Sequence, residues 1–93
     1  MKKTVSIDEA KIVAASIGID WKNAKFTAED FCQGMNVEFE HGSHDPETNV
    51  TNDDPVTTGK IAWAHLKEYP DYYHRLQILE KEAEAYWSQQ KSS

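Results

Sequence analysis

DDPVTTGKIAWAHLKEYPDYYHRL, Asp53 to Leu76, decides the fold. Asp54 stands ahead of Pro55. A carboxylate at the N-cap accepts from the free N–H groups of the first turn, and proline at the first helical position lacks an N–H that would be orphaned there anyway. Asp53 and Asp54 also lie at the positive end of the helix dipole. A helix therefore starts here. At about 100° per residue, Thr58, Ile61, Ala64, His65, Glu68 and Tyr69 share one side, with Ala62 and Leu66 at its edge. Val56, Lys60, Trp63 and Lys67 share the other. His65 and Glu68 are thus expected in the middle of the apolar arc, although unpaired ionisable groups are costly to bury. Pro70 pushes Tyr69 out of the helical region, so the helix breaks at Tyr69-Pro70 and a new one begins near Pro70 or Asp71.

Upstream, Ser6 with Glu9 forms a capping box, and Val5 staples onto Ala10. Ile7, Ala10, Val13, Ala14 and Ile17 make an apolar stripe at helical spacing, and Gly18 is a natural stop. The first helix is expected over about 7–17. Ile19 to Lys25 is a connector holding Trp21. Thr27 with Asp30 forms a second capping box, and Phe26 with Phe31 a second staple. The second helix is expected to run to about His41 and to end at Gly42. Gly34 inside it costs about 1 kcal/mol relative to Ala, so it marks a close helix contact. Phe31, Cys32, Gly34, Met35, Glu38 and Phe39 form the inner arc, with His41 at its edge, while Gln33, Asn36 and Glu40 face out.

Gly42 to Asp53 reads as a polar loop rich in turn residues. Its oxygen ligands, Asp45 to Asn49 with Asp53 and Asp54, lack the glycine and terminal Glu of a helix–loop–helix calcium loop. The last helix is expected over about 71–89. Tyr72, Leu76, Leu79, Ala83 and Tyr86 recur along it at alternating spacings of four and three, flanked by Trp87. That stripe suits a bundle seam or a dimer contact. The fold expected is an all-α bundle of three to four helices in a single domain, 1–93, with frayed ends at 1–5 and 90–93. Its core is Val13, Ile17, Phe31, Met35, Phe39, Ile61, Leu66, Tyr72, Leu76 and Leu79.

Length and composition fit this. Ninety-three residues make one small domain, and three Trp, four Tyr and three Phe supply a core without disulfides. The single Cys32 excludes an internal disulfide framework and reads as a core residue, not a nucleophile. The net charge of −6 argues against nucleic-acid binding, which needs a basic footprint. No run of about 20 apolar residues is present, and the opening MKKTVSIDEA has no apolar core of a secretory signal. A cytoplasmic setting is the simplest reading. Asn49-Val50-Thr51 is then a chance glycosylation match.

The pieces VEFEHG, TNVTNDDP, TGKIAWAHL and EYPDYYHRL together resemble a family of short, acidic, helical proteins of unknown function, found in bacteriophages and bacteria. The resemblance covers about Phe26 to Trp87. It implies the helical fold and a phage or bacterial source, and it assigns no activity.

Two spacings carry possible chemistry. Glu38-x-x-His41 and His65-x-x-Glu68 each put a carboxylate and an imidazole one turn apart on one helix face. Di-iron and di-manganese bundles use Glu-x-x-His from two helices plus a Glu from each of two others, and such ligands suit Fe, Mn or Zn. Here the second pair is reversed in order, and His65 falls about 15 Å along its helix at 1.5 Å per residue, a different level from Glu38 in a simple hairpin. The plainer reading is a polar network of Glu38, His41, His65 and Glu68, in which Glu38 accepts from His65 or Tyr72.

Three functions follow. The first is a non-enzymatic accessory protein, phage- or prophage-encoded, that binds a protein partner or self-associates, with no cofactor. Trp63 exposed beside Asp53 and Asp54 would mark its surface. The second is a metal-binding protein using Glu38, His41, His65 and Glu68. The third is a small hydrolase in which Glu68 orients His65 as a base. It needs a pocket beside His65, and the chain shows no nucleophile motif.

Overall fold

The structure is a computed structural model that describes residues 4–44 and 54–91, with side chains for 4–40 and 54–89. Four helices follow in order, α1 (Ile7–Ile17), α2 (Ala28–His44), α3 (Pro55–Glu68) and α4 (Tyr72–Lys91), with no strand among the described residues. The chain is all-α, and no described helix is long and apolar enough to cross a membrane.

Local chemistry sets the ends. Ser6 Oγ accepts from Glu9 N at 3.2 Å while Glu9 Oε1 accepts from Ser6 N at 3.1 Å. Thr27 and Asp30 exchange the same pair of bonds at 3.1 and 2.9 Å. Gly18, at φ 91°, closes α1 with its N–H on the Ala14 and Ala15 carbonyls, and the Ile19 N–H reaches Ala14 O at 3.0 Å. Left-handed backbone of this kind favours glycine. Asp54 caps α3 by accepting from Thr57 N at 2.9 Å, with Pro55 following. At the break, Tyr69 is extended, with φ −151° and ψ 106°.

One boundary differs from expectation. α2 runs through Gly42 to His44. A glycine inside a helix costs only about 1 kcal/mol. The next hard stop is Pro46, which disfavours helix in the residue ahead of it. The expected loop beyond His44, its oxygen-rich cluster, the Asn49 sequon and Asp53 lie outside the described residues.

The core is Phe31, Met35 and Phe39 of α2 against Ala10, Val13 and Ala14 of α1 and Ala62 and Leu66 of α3. α1, α2 and α3 pack against one another in all three pairs. Trp21 of the connector closes one end, edge-on to Phe26 and Phe31 at 5.9 and 6.3 Å. Val5 is buried as the staple predicts, and Asn36, expected to face out, holds it. The Asn36 side chain accepts from Val5 N at 2.8 Å and donates to Val5 O at 3.2 Å. Cys32 is buried, and its thiol donates to the same carbonyl at 3.5 Å. Burial pushes that thiol above its ordinary value, against the opposing Asn36 hydrogen bond.

Two expectations about faces are corrected. The buried arc of α3 is Thr58, Gly59, Ala62 and Leu66, rotated from the expected arc by about 100°, one residue step. The cause is α1. A Cβ on Gly59 would sit 2.6 Å from Val13 Cγ1 and 3.3 Å from Phe31 Cζ, so α3 turns its small residues toward its neighbours for close approach. Trp63, expected on the wet side, is therefore half-buried against the core, under Lys67 Nζ at 4.5 Å from its ring. Ala64 and Glu68, expected on the apolar arc, are exposed.

The second correction concerns α4, expected to close the bundle along its length. Only its first turns do so. Tyr73 is 2% exposed, and Tyr72 and Leu76 are half-buried, whereas Leu79, expected in the core, is 60% exposed. From Gln77 to Gln89 every residue is exposed. The molecule is correspondingly long, 50 × 26 × 20 Å.

Candidate functional site

α2, α3 and the first turn of α4 meet at one polar cluster. Gly34 and Glu38 lie one turn apart on the inner arc of α2, so a tyrosine laid along that arc covers the glycine with its ring and reaches the carboxylate with its hydroxyl. Tyr73 does this. A Cβ on Gly34 would stand 2.5 Å from Tyr73 Cε2, and the Tyr73 hydroxyl donates to Glu38 Oε2 at 2.8 Å. The close contact that Gly34 marks is thus with α4.

His65 completes the cluster from the last turn of α3. Its Nδ1 lies 3.1 Å from the Tyr73 hydroxyl and 3.3 Å from Glu38 Oε2. The hydroxyl proton is already committed to Glu38, so the hydroxyl is left only as an acceptor toward His65. Nδ1 therefore carries a proton and donates. The imidazole is stacked on Tyr72 at 4.3 Å and 13°. Tyr72 in turn lies edge-on to Tyr73 at 4.9 Å. Burial, with the Glu38 carboxylate beside it, pushes the Tyr73 phenol well above its ordinary value, so it remains a donor.

The expected site residues separate as follows. Glu38 and His65 come together, and no mismatch of level arises. Tyr73, not Tyr72, supplies the hydroxyl, because the break at Pro70 resets the phase of α4 and turns Tyr73 inward. Glu68 is exposed on another side of α3, so it does not orient His65; Glu38 does. The His41 side chain lies outside the described residues. Among the described residues, no group of three His, Cys, Asp or Glu side chains is placed to hold a metal ion. Trp63 is half-buried, and Asp54 is occupied as the N-cap of α3.

The sequence reading missed Tyr73. Its signal was a buried glycine one turn before a partly buried carboxylate, a seat shaped for a tyrosine.

A groove of about 500 Å³ lies on a different side, between the α1–α2 connector and the end of α3. Ile19, Phe26, Trp63 and Leu66 form its apolar lining, with Asp20, Lys25, Lys67 and Glu68 around it. His65 is not part of it, so a base at His65 would not open onto this groove. What the cluster does chemically is join three helices through charge-assisted hydrogen bonds.

No curated protein and no solved structure matches the chain significantly. The family described as "Protein of unknown function (DUF5661)" matches residues 10–82, which include α2, α3, the whole cluster and the first half of α4. The chain belongs to that family.

Proposed function

We propose that the chain is a non-enzymatic accessory protein, phage- or prophage-encoded, that acts by binding a protein partner through α4. The observation that carries this is the outer part of α4. Ile78, Leu79, Tyr86 and Trp87 are all at least half exposed within ten residues, with Tyr86 and Trp87 edge-on at 5.2 Å. Apolar side chains clustered on an exposed surface mark interaction sites, and Tyr and Trp are the side chains on which binding energy concentrates. The tyrosine–carboxylate–histidine cluster then has a role without catalysis, because it fixes the base of α4 to the bundle. The phage or prophage source rests on the sequence resemblance. Trp63 with Asp53 and Asp54 is less suited as the surface, since Trp63 is half-buried.

The metal reading retains the Glu38–His65 contact and no further convergence among the described residues. The hydrolase reading retains an oriented His65 without Glu68.

The test is affinity capture from host cells, comparing the tagged chain with a Tyr86→Ala/Trp87→Ala variant. Both side chains are exposed, so the variant should keep the parent's thermal midpoint. A stoichiometric protein retained by the parent and reduced about tenfold or more with the variant is expected, a loss of at least about 1.4 kcal/mol. Equal retention by both contradicts the proposal, and so does a chain that retains no protein and also stays monomeric.

A further inference from the structure

We infer that the partner of α4 is a second copy of this chain, paired along α4 as a parallel two-stranded coiled coil. This rests on the reading that α4 is the contact surface and names what covers it.

The heptad phase comes first. Spacings of four, three, four and three from Tyr72 through Leu76, Leu79 and Ala83 to Tyr86 put Leu76 and Ala83 at a and Tyr72, Leu79 and Tyr86 at d. The first two members, Tyr72 and Leu76, are half-buried against the chain's own core. The same stripe then runs out of the core into solvent, where Leu79 is 60% and Tyr86 55% exposed. An isolated helical segment of this length is marginal in water, so the outer part of α4 needs a partner helix to be firm.

Charge then selects the occupant and its direction. In this phase Arg75 and Glu82 fall at g, and Glu80 and Trp87 at e. A parallel pair sets each g beside the e five residues on in the other copy. Arg75 then meets the second copy's Glu80, twice by symmetry, and Glu82 meets Trp87. No like charges face each other. An antiparallel pair that keeps Leu79 opposite Ala83 brings Glu80 toward Glu80 and Glu82 toward Glu82. Arg75 is already held on that edge, with Nε 3.3 Å from Asp71 and its guanidinium 4.9 Å over the Tyr69 ring.

Size sets the strength. Leu79, Tyr86 and Trp87 leave roughly 100 Å² accessible each. With flanking stems, two copies bury on the order of 1,000 Å², at the low end for specific interfaces. Association should therefore be reversible and visible in the micromolar range. Tyr86 and Trp87 lie beyond the family match at residues 10–82, so the inference concerns this chain and not the family.

The experiment is sedimentation equilibrium of the pure full chain across micromolar concentrations. A dimer fraction that rises with concentration is expected. Leu79→Glu/Tyr86→Glu should remain monomeric throughout while keeping the parent's unfolding midpoint in dilute solution. Arg75→Glu should weaken the dimer about tenfold, and Arg75→Glu/Glu80→Arg should restore most of it. For direction, Ala83→Cys in a Cys32→Ser background should oxidise readily to a covalent dimer, since a positions face each other in a parallel pair. A monomer at every concentration overturns the inference. So does a dimer indifferent to Leu79→Glu/Tyr86→Glu, or one in which Ala83→Cys fails to cross-link. A monomer whose α4 still captures another protein from cells overturns the second copy and leaves α4 as a contact surface. A monomer that captures nothing overturns both.

Discussion

Tyr73→Ala is expected to lower the stability of the chain by about 3–5 kcal/mol, the range for removing a fully buried aromatic ring. A chain of this size is stable by roughly 5–14 kcal/mol in all, so the variant should sit near its unfolding threshold at ordinary temperature. The size follows from position. Tyr73 is 2% exposed, its ring covers Gly34, its edge meets Tyr72, and its hydroxyl is the donor to Glu38. Tyr73→Phe separates the two contributions. It keeps the ring and deletes the hydroxyl, so about 1–2 kcal/mol is expected, mostly from a partly buried Glu38 that loses a donor. Equilibrium urea unfolding of both variants measures this.

The same pair yields a pH test whose sign is fixed. The Tyr73 phenol lies well above its ordinary value of 10.0 in the folded chain. Its contribution to stability is therefore intact below about 10 and is lost as pH rises further, because the unfolded chain releases the proton first. The loss is about 1.4 kcal/mol per pH unit. Tyr73→Phe should show a shallower alkaline decline than the parent by that amount.

The second large effect is Gly34→Ala, expected to cost about 1–3 kcal/mol although alanine favours a helix over glycine by about 1 kcal/mol. The added methyl would lie 2.5 Å from Tyr73 Cε2 and 3.0 Å from both Cδ2 and Cζ. The ring cannot easily move aside, because its hydroxyl is tied to Glu38 and His65. The sign should reverse in a Tyr73→Ala background. There the clash is gone and only the helix preference remains, so Gly34→Ala should stabilise by about 1 kcal/mol. A double-mutant cycle reads the coupling directly. If Gly34→Ala costs the same in both backgrounds, Tyr73 is not what glycine makes room for.

The helix ends were legible because their chemistry is local. Ser6 with Glu9, Thr27 with Asp30, Asp54 ahead of Pro55, Gly18 and Pro70 each act within a few residues. Each produces the predicted cap or break. The inner arc of α2 was legible too, since Phe31, Met35 and Phe39 outweigh everything on its other faces.

α3 was misread because its weights are even. Ile61 and Ala64 pull one way and Trp63 the other, and the contacts that settle the matter are made through Gly59 and Ala62, which carry little hydrophobic signal. A helix packed by three others also has no single wet face, which displaced Glu68 from the site and drew Trp63 inward. Tyr72 was expected inside because it falls on the stripe of Leu76 and Leu79, but a helix restarting after Pro70 has no inherited phase, and Tyr73 is the residue that turns inward. The outward course of α4 was hidden for a different reason. The stripe Leu76, Leu79, Ala83, Tyr86 predicts a covered face, and nothing in the pattern says whether the cover is the same chain or another.

Residue-level hydrogen exchange along α4 tests most directly the claim that this helix is anchored at its base and offered beyond it. In dilute solution, amides around Leu76 to Leu79 should be protected nearly as well as those of α2 and α3. Protection should fall away from Lys81 toward Lys91, and it should rise there, and there alone, as concentration increases. Even protection along all of α4 in the dilute chain would mean that the helix is packed throughout, and would contradict both the anchored cluster as its main attachment and the outer face as a contact surface.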